Sequence, residues 1–309
     1  MKGYRFILLL ILGSLFLVPK TQAQNSMFSI GVRGGGQTFL SSATAPSGSI
    51  KGDVGFGGTI DLRYAFYGCF TDRLGMGFTL GAGIGYGTAG LRGDHTDNYS
   101  NTDYLGKQID YTVTSSFRQQ NRFATAEASL MLAFCFGNVI VNVGPRFMMP
   151  FAAKSELTIT NASIDAYYPE YYVHVVDKMI TGYLQTPYTQ AVTPVLPEYS
   201  VLMGAEIGYE WYFDEKNCLG IQLYADVGVW NKMSVVSYQP SALIEVAPIT
   251  DATNPAPNVT VNASGLPASN PRYLDFGLRV YYAFSVNPNG LRKRSPSRDT
   301  RLHHNRYRW

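Results

Sequence analysis

The segment from Tyr273 to Phe284 alternates without exception between two kinds of side chain. Large apolar residues occupy every second position, namely Leu274, Phe276, Leu278, Val280, Tyr282 and Phe284. The positions between them hold Tyr273, Asp275, Gly277, Arg279, Tyr281 and Ala283. Successive side chains of a β-strand point to opposite faces, so this spacing predicts a strand with one apolar and one small or polar face. A soluble β-sandwich contains such strands too, so one strand does not decide the fold.

The same alternation recurs along the chain and predicts an all-β fold of eight strands. They are 27–39, 53–67, 74–92, 110–134, 139–158, 199–213, 218–237 and 272–285. The uncharged stretch 128–145 also admits a transmembrane helix, but Gly137-Asn138 interrupts it and valines alternate with other residues after the interruption. We therefore predict a tight hairpin there. The 31 Gly, 22 Tyr and 17 Phe fit an all-β protein.

Residues 1–23 have the three parts of a secretory signal peptide. Lys2 and Arg5 give a positive start, an apolar core follows, and small residues precede the expected cleavage site near Ala23. An uncleaved anchor is the alternative. Export argues against a nucleic-acid partner, and residues 24–285 contain no basic stripe that suggests one.

The connections between the predicted strands alternate between short and long. The segments 68–73, 136–138 and 214–217 are tight, whereas 40–52, 93–109, 159–198 and 238–271 are long and polar. Short turns at one end and long loops at the other are typical of outer-membrane barrels, with the turns in the periplasm and the loops outside the cell. Each of the eight predicted strands exceeds the roughly 9–11 residues that a tilted strand needs to cross a bilayer. An even number of strands puts both termini in the periplasm.

With this layout, residues 24–285 resemble the eight-stranded outer-membrane β-barrels of the outer membrane protein A and outer membrane protein X type. The closing-strand signal of that family is matched by Asp275, Gly277, Val280, Tyr282 and Phe284. The resemblance implies an antiparallel up-and-down transmembrane barrel, a location in the outer membrane, and contact with the barrel-assembly machinery, membrane lipids and lipopolysaccharide. The chain departs from the family in its long third and fourth loops and in the tail 286–309.

Charged residues of the predicted strands have the parity of the polar face. They are Arg33, Asp61, Arg63, Glu127, Arg146, Glu206, Glu210, Asp226, Asp275 and Arg279. An eight-stranded barrel is just wide enough for side chains to fill it, and six glycines between 75 and 87 leave room for long arginines. We therefore expect a polar, plugged interior held by ion pairs. A soluble lipocalin-like barrel, with the faces reversed, is the alternative.

The spacing from the turns predicts two cross-strand pairs in this network. Glu127 and Arg146 are nearly equidistant from Gly137, so they should lie opposite each other, directly or diagonally. Glu206 and Asp226 should also be opposed. Two like charges there need an arginine between them, or one carboxyl must be protonated.

Residues with catalytic or metal-binding chemistry are few. His95 near Asp97, and His174, are the candidates for a lipid-modifying site, but neither has a partner at a motif spacing. Cys69, Cys135 and Cys218 lie near the short turns and permit one disulfide or buried thiols. We expect no metal and no cofactor.

The third long loop holds a tyrosine-rich stretch that suggests a binding surface. Its tyrosines are Tyr167, Tyr168, Tyr171 and Tyr172. Tyrosine supplies rigid amphipathic contact area, so a surface partner is one interpretation, and self-packing or an interfacial belt is the other.

The basic tail 286–309 carries seven Arg or Lys residues against Asp299 and is expected to be a flexible periplasmic segment that contacts anionic material. The candidates are peptidoglycan, lipopolysaccharide phosphates and the acidic turn at Asp214 and Glu215, and a solvated tail with no role is the alternative. The chain as a whole is therefore predicted to be a non-enzymatic outer-membrane protein of a Gram-negative bacterium with a structural or surface-binding role. The alternatives are a small diffusion channel, a component of secretion or surface-assembly machinery, and a lipid-modifying enzyme.

Overall fold

The computed structural model describes residues 24–286 except 41–43, 46–47, 70–73, 104, 176–183, 195, 215, 234–242, 247–258 and 262–271. The expected signal peptide and almost all of the basic tail therefore lie outside the described residues. Within the described residues, every regular element is a β-strand. None of them forms a helix long and apolar enough to cross a membrane.

Eight long strands make up most of the structure. They are β1 (Gln24–Leu40), β4 (Gly55–Cys69), β5 (Leu74–Thr102), β6 (Gln108–Phe136), β7 (Val139–Tyr168), β10 (Pro197–Tyr212), β11 (Asn217–Met233) and β14 (Arg272–Ser285). Six short strands lie between them, namely β2 (Thr44–Ala45), β3 (Gly48–Asp53), β8 (Val173–Val175), β9 (Tyr188–Val192), β12 (Ile244–Val246) and β13 (Val259–Val261). Each of the eight long strands overlaps one of the eight predicted segments.

The eight long strands close into a ring. Each pairs antiparallel with the long strands before and after it in the chain, and β14 pairs with β1. The pairing of β5 with β6 runs from Leu74↔Phe136 to Thr102↔Gln108 without a shift. Strands β4 and β14 flank β1 on either side, so no long strand has an unpaired edge in the half of the ring nearest the short turns, which we call the lower half.

The short connections lie at one end of the ring. Gly137 turns β6 into β7 with a φ of 64°. Asp214 holds the turn between β10 and β11, because its Oδ1 accepts hydrogen bonds from the backbone N–H of Lys216 and Asn217, both at 2.7 Å. Both are turn types that the residues Gly, Asn and Asp favour.

Two strands, β5 and β7, are each ten residues longer than predicted, and this corrects the predicted loops. Residues 93–109 were expected to be a polar loop, but β5 and β6 continue as a paired ladder to a turn at Asp103–Lys107. Strand β7 runs on to Tyr168, and β8 and β9 pair with it inside the predicted loop 159–198. Strand β3 falls within the predicted loop 40–52 and pairs with the upper part of β5. We call this upper part of the molecule the extension.

A β-bulge marks the start of the extension on β7. Ala152 has a φ of 48°, and the register between β6 and β7 shifts between Arg122 and Ala124. The extra residue reverses which side chains of β7 point inward, so Met148 and Leu157 are both buried although their parities differ. The bulge therefore hides the alternating pattern of β7 from a reader of the sequence alone.

Two apolar clusters fill the two ends of the ring. The lower cluster, at the short turns, includes Tyr67, Cys135, Ile140 and Cys218. The upper cluster fills the extension with eighteen buried residues, among them Ile109, Tyr111, Phe117, Leu157 and Ile159. Polar and charged side chains occupy the interior between the two clusters.

Candidate functional site

All ten predicted ionisable residues of the interior face inward and are buried or nearly so. They are Arg33, Asp61, Arg63, Glu127, Arg146, Glu206, Glu210, Asp226, Asp275 and Arg279. They come from seven of the eight long strands, β5 being the exception. Their side chains are brought together at one height by the antiparallel register, although some are more than 200 residues apart in the chain.

Arg33 lies on the upper side of the network. Its guanidinium donates to Glu127 and to Asp226, the latter at 2.9 Å, and lies 3.9 Å from Asp275. Its Cζ also lies 4.8 Å from the ring centre of Tyr224, whose hydroxyl donates to Asp275 at 3.1 Å. Arg33 thus holds three carboxylates and one aromatic face, which offsets part of the cost of burying its charge.

Arg146 bridges two carboxylates of the neighbouring hairpin. Glu206 and Asp226 are diagonal neighbours, because Asp226 is paired with Gly204, two residues from Glu206. The guanidinium of Arg146 lies between them, at 2.8 Å from Glu206 and 3.0 Å from Asp226. Glu127 is also diagonal to Arg146 and lies 3.6 Å from it. A cation at this position removes the repulsion that two adjacent buried carboxylates would otherwise feel.

Arg63 and Arg279 occupy the lower side of the network. Arg63 donates twice to Glu206, at 2.6 and 2.9 Å, and once to Asp61 at 3.3 Å. Arg279 donates to both oxygens of Asp61, at 2.6 Å for the shortest contact. Glu210 accepts a hydrogen bond from the hydroxyl of Tyr281 at 2.8 Å. Ion pairs therefore join the four arginines to Asp61, Glu127, Glu206, Asp226 and Asp275. Glu210 is linked to them through Tyr281, whose ring centre lies 4.3 Å from the Cζ of Arg279.

Gly81 of β5 gives Arg63 its space, and other inward glycines of β5 allow close approach of the neighbouring strand. A Cβ at Gly81 would lie 3.0 Å from the Cγ of Arg63, and one at Gly83 would lie 3.0 Å from the carbonyl of Ile60. The space left in the interior is small, about 20 Å³ beside Arg63 and about 10 Å³ beside Arg146. Each is room for about one water molecule.

The two faces of the sheet exchange polarity partway up the strands. On β5 the outward residues are apolar from Leu74 to Tyr86 and then polar from Thr88 to Ser100. The inward residues change in the opposite sense, from glycines beside the ion pairs to Ala89 and Leu91 in the upper cluster. The outward residues of β6 change at the same level, where Arg122 is paired with Thr88. Two different media must therefore surround the lower and upper parts of the ring.

The upper end of the extension is covered by strand β12. Leu243, Ile244 and Val246 are almost fully buried in the upper cluster. Tyr99 accepts a hydrogen bond from the backbone N–H of Val246 at 2.6 Å, and Asn101 donates to the carbonyl of the same residue at 2.6 Å. The extension is thus a packed unit with a core of its own.

The four predicted surface tyrosines divide into two pairs. Tyr167 and Tyr168 belong to β7 and are partly buried, with Tyr168 against the upper cluster. Tyr171 and Tyr172 lie in the turn after β7, and 57% and 85% of their surfaces are exposed. Lys107, from the turn between β5 and β6, forms an ion pair with Glu170 and so holds the two turns together. The exposed tyrosines therefore stand at the far tip of the extension.

The predicted closing-strand residues lie in β14. Asp275 and Gly277 point inward, whereas Val280, Tyr282 and Phe284 point outward. The ring of Phe284 lies 5.4 Å from that of Phe28 on β1. This contact is at the seam where the first and last strands pair.

The histidines and cysteines take the following positions. His95 points into the extension, is 8% exposed, and lies 2.8 Å from Asp97, which also accepts from the backbone N–H of Leu243 at 2.9 Å. His174 is exposed and lies 3.1 Å from Asp165. Cys135 and Cys218 are buried thiols in the lower cluster. Among the described residues no group of His, Cys, Asp and Glu has the arrangement of a metal site.

The structure was also compared with known proteins. No protein-family model and no curated protein matches the chain. Solved structures with some likeness include the outer membrane protease OmpT from Escherichia coli, at 9% identity and a TM-score of 0.21, covering 85% of this chain and 96% of that chain. The translocator domain of the autotransporter NalP from Neisseria meningitidis has 10% identity and a TM-score of 0.22, covering 92% and 94%. Likenesses this weak carry no argument about this chain.

Proposed function

We propose that this chain is an integral outer-membrane protein of a Gram-negative bacterium, with a structural or surface-binding role. Its eight long strands would cross the membrane as an up-and-down β-barrel of the outer membrane protein A and X type, with a polar, plugged interior. The extension would stand outside the cell. The observation that carries this proposal is the exchange of polarity between the two faces of the strands, because only a lower band surrounded by lipid explains apolar side chains outside and ion pairs inside.

The height of the apolar band supports the proposal. On β10, Tyr199 contacts Phe147 and Trp230 at ring distances of 5.6 and 5.4 Å. Lower on the same strand, Tyr209 contacts Trp211 at 5.0 Å. The ten steps from Tyr199 to Tyr209 span about 33 Å along the strand, or about 25 Å across the membrane at a tilt of about 40°. Two aromatic levels at this separation match the aromatic girdles of outer-membrane barrels.

The ion pairs that span the interior support a structural or binding role rather than a diffusion channel. Four arginines cross the space between the walls, and the cavities beside them hold about one water each. The upper cluster and β12 cover this layer from above. The buried position of His95 also favours a role other than catalysis, because a substrate would have to enter the packed extension to reach it.

The tip of the extension is where we propose that a surface partner binds. Tyr171, Tyr172 and Leu105 are exposed side by side with the Lys107–Glu170 ion pair. Exposed tyrosines on a rigid support lose little entropy on binding. At the other end, the barrel-assembly machinery would recognise the closing strand, and the tail would contact peptidoglycan.

Membrane fractionation of the exporting cell tests the proposal. The full-length protein should sediment with the outer membrane and migrate faster on a gel when it is not boiled, because a closed ring of strands resists unfolding by detergent. Recovery in the soluble periplasm, with one mobility in both samples, would contradict a membrane location. Planar-bilayer recording tests the closed interior, for which we expect no steady conductance.

A further inference from the structure

An unusual row of like charges crosses the outer surface just above the apolar band. Lys51 is paired directly with Arg92, and Arg92 is paired directly with Arg118, across strands β3, β5 and β6. Four residues lower on β6, Arg122 is paired directly with Lys154 of β7. All five side chains point outward and are exposed. We call these five residues the basic face.

Directly opposed like charges destabilise a sheet. Their Cβ atoms lie about 4.5–5.5 Å apart, so each pair repels unless an anion lies between them. Three carboxylates lie near these cations. Asp53 forms an ion pair with Arg118, and Glu156 lies 3.6 Å from Arg122. Asp94 instead accepts a hydrogen bond from the hydroxyl of Ser116.

Three members of the basic face form no ion pair with the described residues. Lys51, Arg92 and Lys154 have no carboxylate within 4.0 Å among the described residues. The face therefore has an excess of positive charge that the described part of the chain does not neutralise.

The height of the basic face indicates what neutralises it. Tyr86 is the last apolar outward residue of β5, and Arg122 of β6 is paired with Thr88, two residues above it. Phe151 is the last large apolar outward residue of β7, and Lys154 follows it by three residues on the same strand. In the proposed membrane this level is the outer polar boundary of the lipid. The strand across the ring, β11, carries Trp230 and the ion pair of Lys232 with Glu198 at the corresponding level instead. On that side Arg272 of β14 is a single exposed cation, whereas β3, β5, β6 and β7 carry five cations in directly paired positions.

We propose that the basic face binds the phosphate groups of a phosphorylated lipid of the outer leaflet, of the glucosamine-phosphate class found in lipopolysaccharide. This inference rests on the proposed outer-membrane function. Arginine presents a planar pair of donors that matches phosphate oxygens, and lysine adds a point charge. Arg122 and Lys154 contact a phosphate at the lipid boundary, and Lys51, Arg92 and Arg118 contact a second one that lies four residues further out along β6. The acyl chains lie along the apolar band below.

The test uses the full-length protein folded in zwitterionic detergent micelles without lipopolysaccharide. Binding of bisphosphorylated lipid A is titrated by native mass spectrometry, and dephosphorylated lipid A and inorganic phosphate serve as the other probes. The variant Arg122→Gln/Lys154→Gln should bind bisphosphorylated lipid A at least tenfold more weakly. The matched control, Lys232→Gln, removes an exposed cation of the opposite side and should change the affinity less than twofold.

The outcomes separate the inference from the proposed function. Equal binding of the double variant, or of dephosphorylated lipid A, overturns the phosphate site. Inorganic phosphate that binds as tightly as lipid A overturns the lipid as its source. Failure of the wild-type chain to enter micelles at all contradicts the membrane function instead.

A second readout guards against a simple folding defect. In lipid-free micelles Lys154→Gln should raise the unfolding midpoint, because it relieves the repulsion from Arg122. Added lipid A should then raise the midpoint of the wild type more than that of this variant. A lower midpoint without lipid would overturn the idea that the face is held against repulsion for a ligand.

Discussion

An arginine placed on the outward face of β11 tests whether that face meets lipid. Leu223 is 60% exposed and lies between Ile207 and Leu278 of the neighbouring strands, near the middle of an outward apolar series from Leu219 to Val229. The variant Leu223→Arg should lower the free energy of unfolding by about 2–4 kcal/mol, the cost of arginine near the midplane of a bilayer. In a soluble protein the same exposed position would tolerate arginine, with a change within about 0.5 kcal/mol.

The chain offers a matched control on the same strand and the same face. Leu219 lies four residues lower, paired with Trp211 and Tyr282 at the lower aromatic level. Four residues correspond to about 13 Å along the strand and about 10 Å across the membrane, so Leu219→Arg reaches the interface. Its cost should be about 0–1 kcal/mol.

The assay is guanidinium unfolding of protein folded into phosphatidylcholine liposomes, followed by tryptophan fluorescence. Trp211 and Trp230 stand at the two aromatic levels and report the transition. The difference between the two leucine variants should exceed about 1 kcal/mol. Equal costs, or none at Leu223, would refute the assignment of this face to lipid.

Three further predictions concern the interior and the extension. Arg146→Ala removes the cation between two carboxylates and should lower the free energy of unfolding by about 3–5 kcal/mol. The double variant with Asp226→Ala should lose less than the sum of the two single variants, and additive losses measured in liposomes would contradict the bridge. Gly77→Ala puts a Cβ 1.8 Å from a backbone carbonyl and should lower the free energy of unfolding by about 1–3 kcal/mol. At Gly34 the nearest atom is 3.6 Å away, so Gly34→Ala should be almost neutral. Equal losses in the same unfolding assay would show that the interior is not tightly packed at Gly77. Burial raises the pKa of Tyr111, in the extension, to about 12. The stabilising contribution of Tyr111 is therefore complete below about pH 10 and is lost as the pH rises from about 10 to 12. Tyr111→Phe should remove this loss, and identical profiles of stability against pH for the two proteins would contradict it.

The number and place of the long strands could be predicted from the sequence, because each has an apolar face opposed to a small or polar one. The pattern is clearest in β14, where the alternation from Tyr273 to Phe284 has no exception. The position of Arg146 relative to Glu127 could also be predicted, because an antiparallel hairpin fixes the distance of each residue from its turn.

The extension could not be predicted in the same way. Above Thr88 the inward residues of β5 include Gly93, His95 and Asp97, so the contrast between its two faces is weak. On β7 the bulge at Ala152 changes the parity and breaks the pattern. The upper part of β6 does show alternation, because Ile109, Tyr111 and Val113 alternate with polar residues. These apolar residues point inward, whereas the apolar residues of the lower part of β6 point outward, so the two parts do not form one continuous pattern. Strand β12 is only three residues long, and its place depends on contacts with β5 some 145 residues away.

The most direct test of the account measures which medium each outward residue of β5 meets. Single spin labels are placed at Leu80, Ile84, Thr88, Arg92 and Thr96 in a cysteine-free protein reconstituted in lipid vesicles, and their accessibility to oxygen and to a water-soluble nickel complex is measured by electron paramagnetic resonance. The account predicts that oxygen dominates at the two lower positions, that the nickel complex dominates at the two upper ones, and that the change falls near Thr88. A nickel accessibility at Ile84 as high as at Thr96 would contradict a lipid-facing band.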